Sequence, residues 1–296
     1  MDTISNMIIP AVLKNIYPNP VVPILGTPAV VFRDHRWTLP VLYLAGLAGL
    51  VTLPVVLVTF DRHRDALDPV NGAEKLSWYR ESGGTFDDLI KLVKHHLSPR
   101  DDDWITSGME LGLISDAVQF STDPETTVGS HIVKYTDSDG TVHRLYRLGR
   151  PVDELSYKRA LTDKSHSLHA GLCELLGWNP SSPGSFASGS NIAFDLDCDF
   201  FTFSWETYIF PFSEEVFTGE LNRPCQSHYY EGYQPVSFIK ALIRAASIMT
   251  VATEPDFCGG ADKSQAVFSS VNRRIFDAAC DGHEILVDYP PVYPSE

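Results

Sequence analysis

Two short stretches of this sequence carry the residue types and spacing that do chemistry. Asp61, His63 and Asp65 follow the apolar run Val55–Phe60 in D-x-H-x-D spacing. Asp195, Asp197 and Asp199 stand in D-x-D-x-D spacing within Asn191–Phe201. At a period of two, such side chains can share one face of an extended chain. Carboxylates crowded in this way repel one another unless a cation or protonation relieves them. A solvated acidic loop fits the second stretch poorly, because Ile192, Ala193, Phe194, Phe200 and Phe201 flank the acids. The two stretches therefore read as ligands for divalent metal. Carboxylate-rich, histidine-poor ligation suits Mn²⁺ better than Zn²⁺ or copper.

The elements that must position these residues are strands and helices in alternation. Val55–Phe60 is continuously apolar and β-branched, the pattern of a strand buried on both faces of a parallel sheet. Open α/β sheets bind ligands just past the carboxyl ends of such strands. Ala29–Phe32 predicts an earlier strand, which ends in Arg33-Asp34-His35-Arg36, and a helix around Pro40–Leu50 links the two. Thr85–Leu97 predicts an amphipathic helix with Thr85 as N-cap and Asp87 and Asp88 in its first turn. Trp104–Ile114 reads as helical, Ala117–Phe120 as a strand and Asp123–Ser130 as a loop. His131–Thr136 and Thr141–Leu148 flank DSDG, a hairpin signal. Asp153–Leu176 is helical in character, and Asn179–Ser190 is loop. Thr202–Gln234 is aromatic and irregular in pattern. Val236–Ala246 predicts a helix, Ser247–Thr253 a strand ending in Glu254-Pro255-Asp256, and Lys263–Cys280 a last helix. The Pro-rich tail reads as extended. The alternation predicts one α/β domain over residues 1–296, a three-layer α-β-α arrangement with a mainly parallel sheet and a β-hairpin insertion.

Composition narrows the function classes. The chain has 296 residues and a formal net charge of −15. That balance disfavours nucleic acid as a partner, which demands a basic footprint, and suits a cationic ligand. Five cysteines without C-x-x-C spacing read as reduced and cytoplasmic. The N-terminus shows no signal-peptide pattern. Trp37–Phe60 holds 24 residues without a charge, long enough for a membrane span. Pro40 and Pro54 divide it into a helix-length piece and a β-branched run, so a buried helix and strand explain it and no membrane is expected.

Three loops of this kind, Asp34-His35, Asp61-x-His63-x-Asp65 and Asp195-x-Asp197, resemble the ureohydrolase superfamily, which includes arginase, agmatinase and, more distantly, the histone-deacetylase-like amidohydrolases. The resemblance implies an arginase-like fold and two Mn²⁺ ions. It implies that His35, Asp61, Asp65 and Asp195 hold one ion and that Asp61, His63, Asp195 and Asp197 hold the other, with Asp61 and Asp195 shared. The sequence departs from the family where Phe32-Arg33 replaces the usual Gly-Gly, and where Arg62 and Arg64 replace small residues. The Asp-x-Asp-x-Asp-Phe-Phe form looks more like a divergent branch that includes peptide arginases, which convert arginine residues of ribosomally made precursor peptides to ornithine and urea.

The expected function is therefore hydrolysis of a guanidinium group on an arginine-containing peptide. Asp65 is the expected proton-handling residue and Glu254 the expected grip on the guanidinium, with Glu110 a weaker choice for that grip. His95, His96, His131 and His143 are the histidines available for a further proton shuttle. The hairpin is a possible strand partner for an extended peptide. Two alternatives stand beside this reading: a metal-dependent amidohydrolase or deacetylase on the same scaffold, and a metal-free protein that binds cationic peptides. The D-x-D-x-D stretch also resembles motifs of haloacid-dehalogenase-type phosphatases and some glycosyltransferases, but those leave the D-x-H-x-D loop unexplained.

Overall fold

The computed structural model describes residues 19–67, 72–98, 100, 102–122, 132–151, 174–178, 186, 191–224 and 233–287. Ten strands and eight α-helices lie among them. The strands are β1 (Val22–Ile24), β2 (Thr27–Phe32), β3 (Val55–Phe60), β4 (Ile114–Phe120), β5 (Ile132–Thr136), β6 (Val142–Leu148), β7 (Ile192–Asp197), β8 (Thr202–Trp205), β9 (Tyr208–Pro211) and β10 (Ile248–Ala252). The helices are α1 (Thr38–Leu47), α2 (Gly72–Glu81), α3 (Phe86–His95), α4 (Trp104–Glu110), α5 (Glu214–Asn222), α6 (Pro235–Ala245), α7 (Pro255–Cys258) and α8 (Ala261–Arg274).

Eight strands form one sheet in the order β1-β2-β10-β7-β3-β4-β6-β5. The inner six run parallel, and β1 and β5 pair antiparallel at the two edges. Apolar side chains alternate between its faces. Leu57 and Ala193 pack with Leu39, Leu42, Leu89, Leu92 and Trp104 of α1, α3 and α4. Val58, Phe194 and Leu196 pack with Phe217, Phe238, Leu242, Phe268 and Val271 of α5, α6 and α8. Both faces are covered by helices, so the central strands read as apolar runs rather than alternating ones. This is the mainly parallel α/β arrangement expected, with the hairpin at one edge: β5 and β6 meet across the DSDG turn, where Gly140 has φ +84°.

Element ends differ in instructive ways. Helix α4 stops at Glu110 because Gly112 takes a left-handed conformation, which leaves Ile114 to begin β4. Helix α8 stops at Arg274, short of Cys280, where Asp277 and Ala278 have positive φ. Thr85 caps α3 as expected, accepting the Asp88 amide at 3.3 Å while its hydroxyl donates to the Asp88 carboxylate at 2.6 Å. The irregular stretch after Thr202 holds two elements the pattern reading missed. One is the β8–β9 ribbon around Glu206-Thr207; the other is α5, capped by Ser213. The expected loops at 123–130 and 179–190 lie outside the described residues except for Phe186, as do most of the expected helix at 153–176 and the tail. Among the described residues, no helix is long and apolar enough to cross a membrane.

Candidate metal centre

Four adjacent strands, β2, β10, β7 and β3, deliver their carboxyl ends to one place. After β2 the chain turns through a short 3₁₀ segment that carries His35; after β3 it enters the Asp61–Asp65 loop; after β7 it enters a 3₁₀ turn over Cys198–Phe201. Asp61, Asp65, Asp195, Asp197, Asp199, Glu254 and His35 are all buried there. His63 is the most open member, its side chain 39% exposed at the rim.

Two loops repeat one local device. Asp61 Oδ1 accepts the backbone N–H of His63 at 2.7 Å, and Asp197 Oδ1 accepts that of Asp199 at 2.8 Å. Each short carboxylate ties down its own loop two residues on, turns the following ligand-type side chain inward, and keeps its second oxygen for the interior. The strand thus ends at Asp197, and Asp199 enters the centre from the 3₁₀ turn rather than from the strand face.

The interior atoms converge on His35. Its Nδ1 lies 3.0 Å from Asp65 Oδ2, 3.4 Å from Asp197 Oδ2 and 3.5 Å from Asp61 Oδ2. His63 Nδ1 lies 2.7 Å from Asp199 Oδ2. Two sets of ligand atoms have the mutual spacing of a metal site: His35, Asp61 and Asp197, and Asp61, His63 and Asp199. Asp61 belongs to both. His35 Nδ1, Asp61 Oδ2 and Asp199 Oδ2 are buried without a well-aligned hydrogen-bond partner. Buried polar groups left in that state are costly, and an ion is a common resolution. The donor set therefore fits a divalent cation.

Asp195 stands apart from this set, and here the placement departs from the expected ligand assignment. Its Oδ2 accepts from Thr59 Oγ1 at 2.7 Å and pairs with His35 Nε2 at 2.5 Å. Its Oδ1 accepts from Thr250 Oγ1 at 2.6 Å and from Thr38 Oγ1 at 3.3 Å. Both oxygens are occupied by the protein. A carboxylate only accepts, so Nε2–H of His35 donates to Asp195 and Nδ1 faces the centre. The D-x-D pair that faces the centre is Asp197 and Asp199, two residues later than Asp195 and Asp197.

The other expected residues are placed as follows. Asp65, with φ +40°, accepts the Trp104 indole N–H on Oδ2 at 2.8 Å. Glu254, with φ +42°, accepts the backbone N–H of His35 on Oε1 at 2.6 Å and so fixes the His35 turn. Glu110 lies by the DSDG turn, where it accepts from Tyr135 and Ser138. His143 binds the Ser115 carbonyl and Asp137, His95 is exposed at the end of α3, and His96 packs on Trp78. His131 lies outside the described residues. The Arg62 backbone N–H donates to Asp199 Oδ1 at the centre, while its guanidinium reaches away to Thr202 and Ser204.

Electrostatics carry the mark of crowded acids. Burial, with the charges of Asp65, Asp199 and Asp197, raises the Asp61 carboxyl well above its ordinary range. Burial and Asp199 do the same to Asp197. Burial opposes the charging of His35, but Asp195, Asp197 and Asp65 outweigh it and raise the imidazole. Asp199 raises His63 to about 9. Burial works against Asp199 in turn, yet His63 and Arg62 hold it below the ordinary value. Metal ions bind deprotonated ligands, so a cation here displaces protons.

No family model matches the chain, and no curated protein matches it. Among solved structures, it is similar to a hypothetical agmatinase from Burkholderia thailandensis, with 14% identity and a TM-score of 0.37. The match covers 85% of this chain and 58% of that one, so the chain spans less than two thirds of that protein's length.

Proposed function

We propose that the protein is a manganese-dependent hydrolase of ureohydrolase type, acting on the guanidinium of arginine residues in a ribosomally made peptide and yielding ornithine and urea. The observation that carries the reading is the convergence of ligand atoms of His35, Asp61, Asp197, His63 and Asp199 at the mutual spacing of a metal site, past the carboxyl ends of β2, β3 and β7.

In this reading His35, Asp61, Asp65 and Asp197 would hold one ion, and Asp61, His63 and Asp199 would hold a second. When bound, the ions supply a nucleophile from water at neutral pH and polarise the reacting carbon. The chain's own residues do the rest. Asp195 fixes the His35 tautomer, and Glu254 fixes its backbone. Asp65, held by the Trp104 N–H, takes a proton from the attacking water and passes it to the departing ornithine nitrogen. The surplus of buried carboxylates gives a cationic substrate its counter-charge. The guanidinium carbon gains one C–O bond and loses its bond to the ornithine nitrogen, so one water is consumed and no redox partner is needed.

The test is incubation of the Mn²⁺-loaded protein with free arginine and with arginine-containing peptides. Urea is measured by colour assay, and mass spectrometry follows the loss of one cyanamide unit per arginine. Urea release with peptide preferred over free arginine is the expected result. No urea from either substrate with metal bound would overturn the reading, and turnover of an acetyl-lysine peptide would move it to the amidohydrolases.

A further inference from the structure

The β8–β9 ribbon leaves the metal centre directly, since Thr202 lies three residues past Asp199. Its register sets Phe203 opposite Phe210 and Trp205 opposite Tyr208. Opposed residues, and residues two apart, share a face, so all four rings stand on one side of the ribbon. They are 46%, 39%, 69% and 63% exposed in that pairing order. Phe203 and Phe210 stack at 5.5 Å, and Tyr208 adjoins Phe210 at 6.3 Å. The ribbon is tied to the protein elsewhere: Ser204 accepts from Arg62, and the Ile209 carbonyl accepts from Lys263. A contiguous exposed aromatic face of this kind marks an interaction surface.

Charge decides what occupies it. The chain carries −15, and Glu206 and Glu215 are exposed at the ribbon's turn and just past its end. A second copy, or an anionic lipid surface, brings charge of the same sign. Aromatic faces attract ammonium and guanidinium groups, and the ribbon already holds one such cation, with Lys263 Nζ 5.1 Å from the Phe210 ring centre. Distance adds a second argument. The backbone from Asp199 to Phe203 spans at most about 14 Å, and to Trp205 at most about 21 Å. An extended peptide of roughly four to six residues spans the whole of that range.

We propose that the Phe203, Trp205, Tyr208 and Phe210 face is the docking platform for the basic peptide chain that carries the substrate arginine. The inference rests on the reading of the centre as a site for peptide arginine. It gives the enzyme a grip on the chain outside the pocket, by ring stacking and cation–π contact with flanking lysine or arginine side chains.

The test is binding of a fluorescein-labelled peptide with one arginine flanked by lysines, followed by anisotropy with the metal-loaded protein. The Trp205→Ala/Tyr208→Ala variant changes only exposed side chains, and its circular dichroism should match wild type. Roughly tenfold weaker peptide binding is expected in this variant, with Trp205→Phe retaining most of the affinity. Turnover of free arginine should be unchanged. Equal binding by wild type and variant, or no binding by wild type, overturns the inference. Concentration-dependent self-association that the variant abolishes would overturn it in favour of a second copy as occupant. Binding that depends on the rings without any urea release would leave the platform standing and remove the hydrolase reading instead.

Discussion

Asp195 and Asp197 lie two residues apart on the same face of β7, both buried, yet their surroundings are opposite. In the sheet register, Thr59 and Thr250 flank Asp195 on the two neighbouring strands. Their hydroxyls, with Thr38 and His35, fill its oxygens. One row further on, Asp197 lies beside Ala252 and past the end of β3, where among the described residues no hydroxyl bonds to it and Oδ2 faces His35 Nδ1. The difference teaches that a carboxylate's role here is set by its lateral neighbours. A threonine row satisfies one carboxylate; the row beyond it leaves an oxygen of the next facing the interior.

The sharpest way to break this contrast is to neutralise both acids in turn. Asp197→Asn should abolish urea release and lower the bound manganese, measured by elemental analysis, as should Asp61→Asn, because Asp61 serves both ligand sets. Asp195→Asn should keep measurable activity and metal, with a loss of roughly 10–100-fold. If the two β7 variants exchange behaviour, the roles assigned above are reversed.

A second effect concerns pH in the metal-free protein. Burial and neighbouring acids raise the Asp61 and Asp197 carboxyls. What these groups contribute to stability is complete below the ordinary carboxylate value of about 4 and is lost as pH rises through their raised folded values. The metal-free protein should therefore melt at lower temperature as pH climbs toward neutrality, and metal-free Asp61→Asn should melt higher than wild type at pH 7. Manganese at about one hundred times its dissociation constant should restore about 2.7 kcal/mol. Thermal melts with and without chelator check all three outcomes.

Smaller effects sharpen the support side. Thr59→Val removes a hydroxyl from Asp195 and should cost about 1–2 kcal/mol of stability, with metal still bound. Trp104→Phe removes the indole donor from Asp65 and should lower turnover several-fold while leaving manganese content unchanged, since Asp65 keeps its place through the Ile105 backbone contact.

Much of this was legible before the fold. The parallel sheet followed from β-branched runs, and His35 and Asp61–Asp65 followed from their positions just past strand ends. The register of the acidic stretch was not legible. Asp195, Asp197 and Asp199 are the same residue at the same spacing, and what separates them is Thr38, Thr59 and Thr250, brought from three other elements more than fifty residues away in sequence. The break after Asp197 comes from its own carboxylate capturing the Asp199 amide, a local event that competes evenly with continued strand. The β8–β9 ribbon did leave a signal, alternating aromatics on both sides of Glu206-Thr207, but its rings face outward, contrary to the rule that reads aromatics as core.

Two residues of the centre, Asp65 and Glu254, hold left-handed backbone conformations that glycine and asparagine adopt more readily. Glycine at either position would relieve the backbone but strand the buried N–H that the carboxylate now accepts, from Trp104 at Asp65 and from His35 at Glu254. The side-chain hydrogen bonds of these two acids are what hold the chain at two uncommon backbone angles.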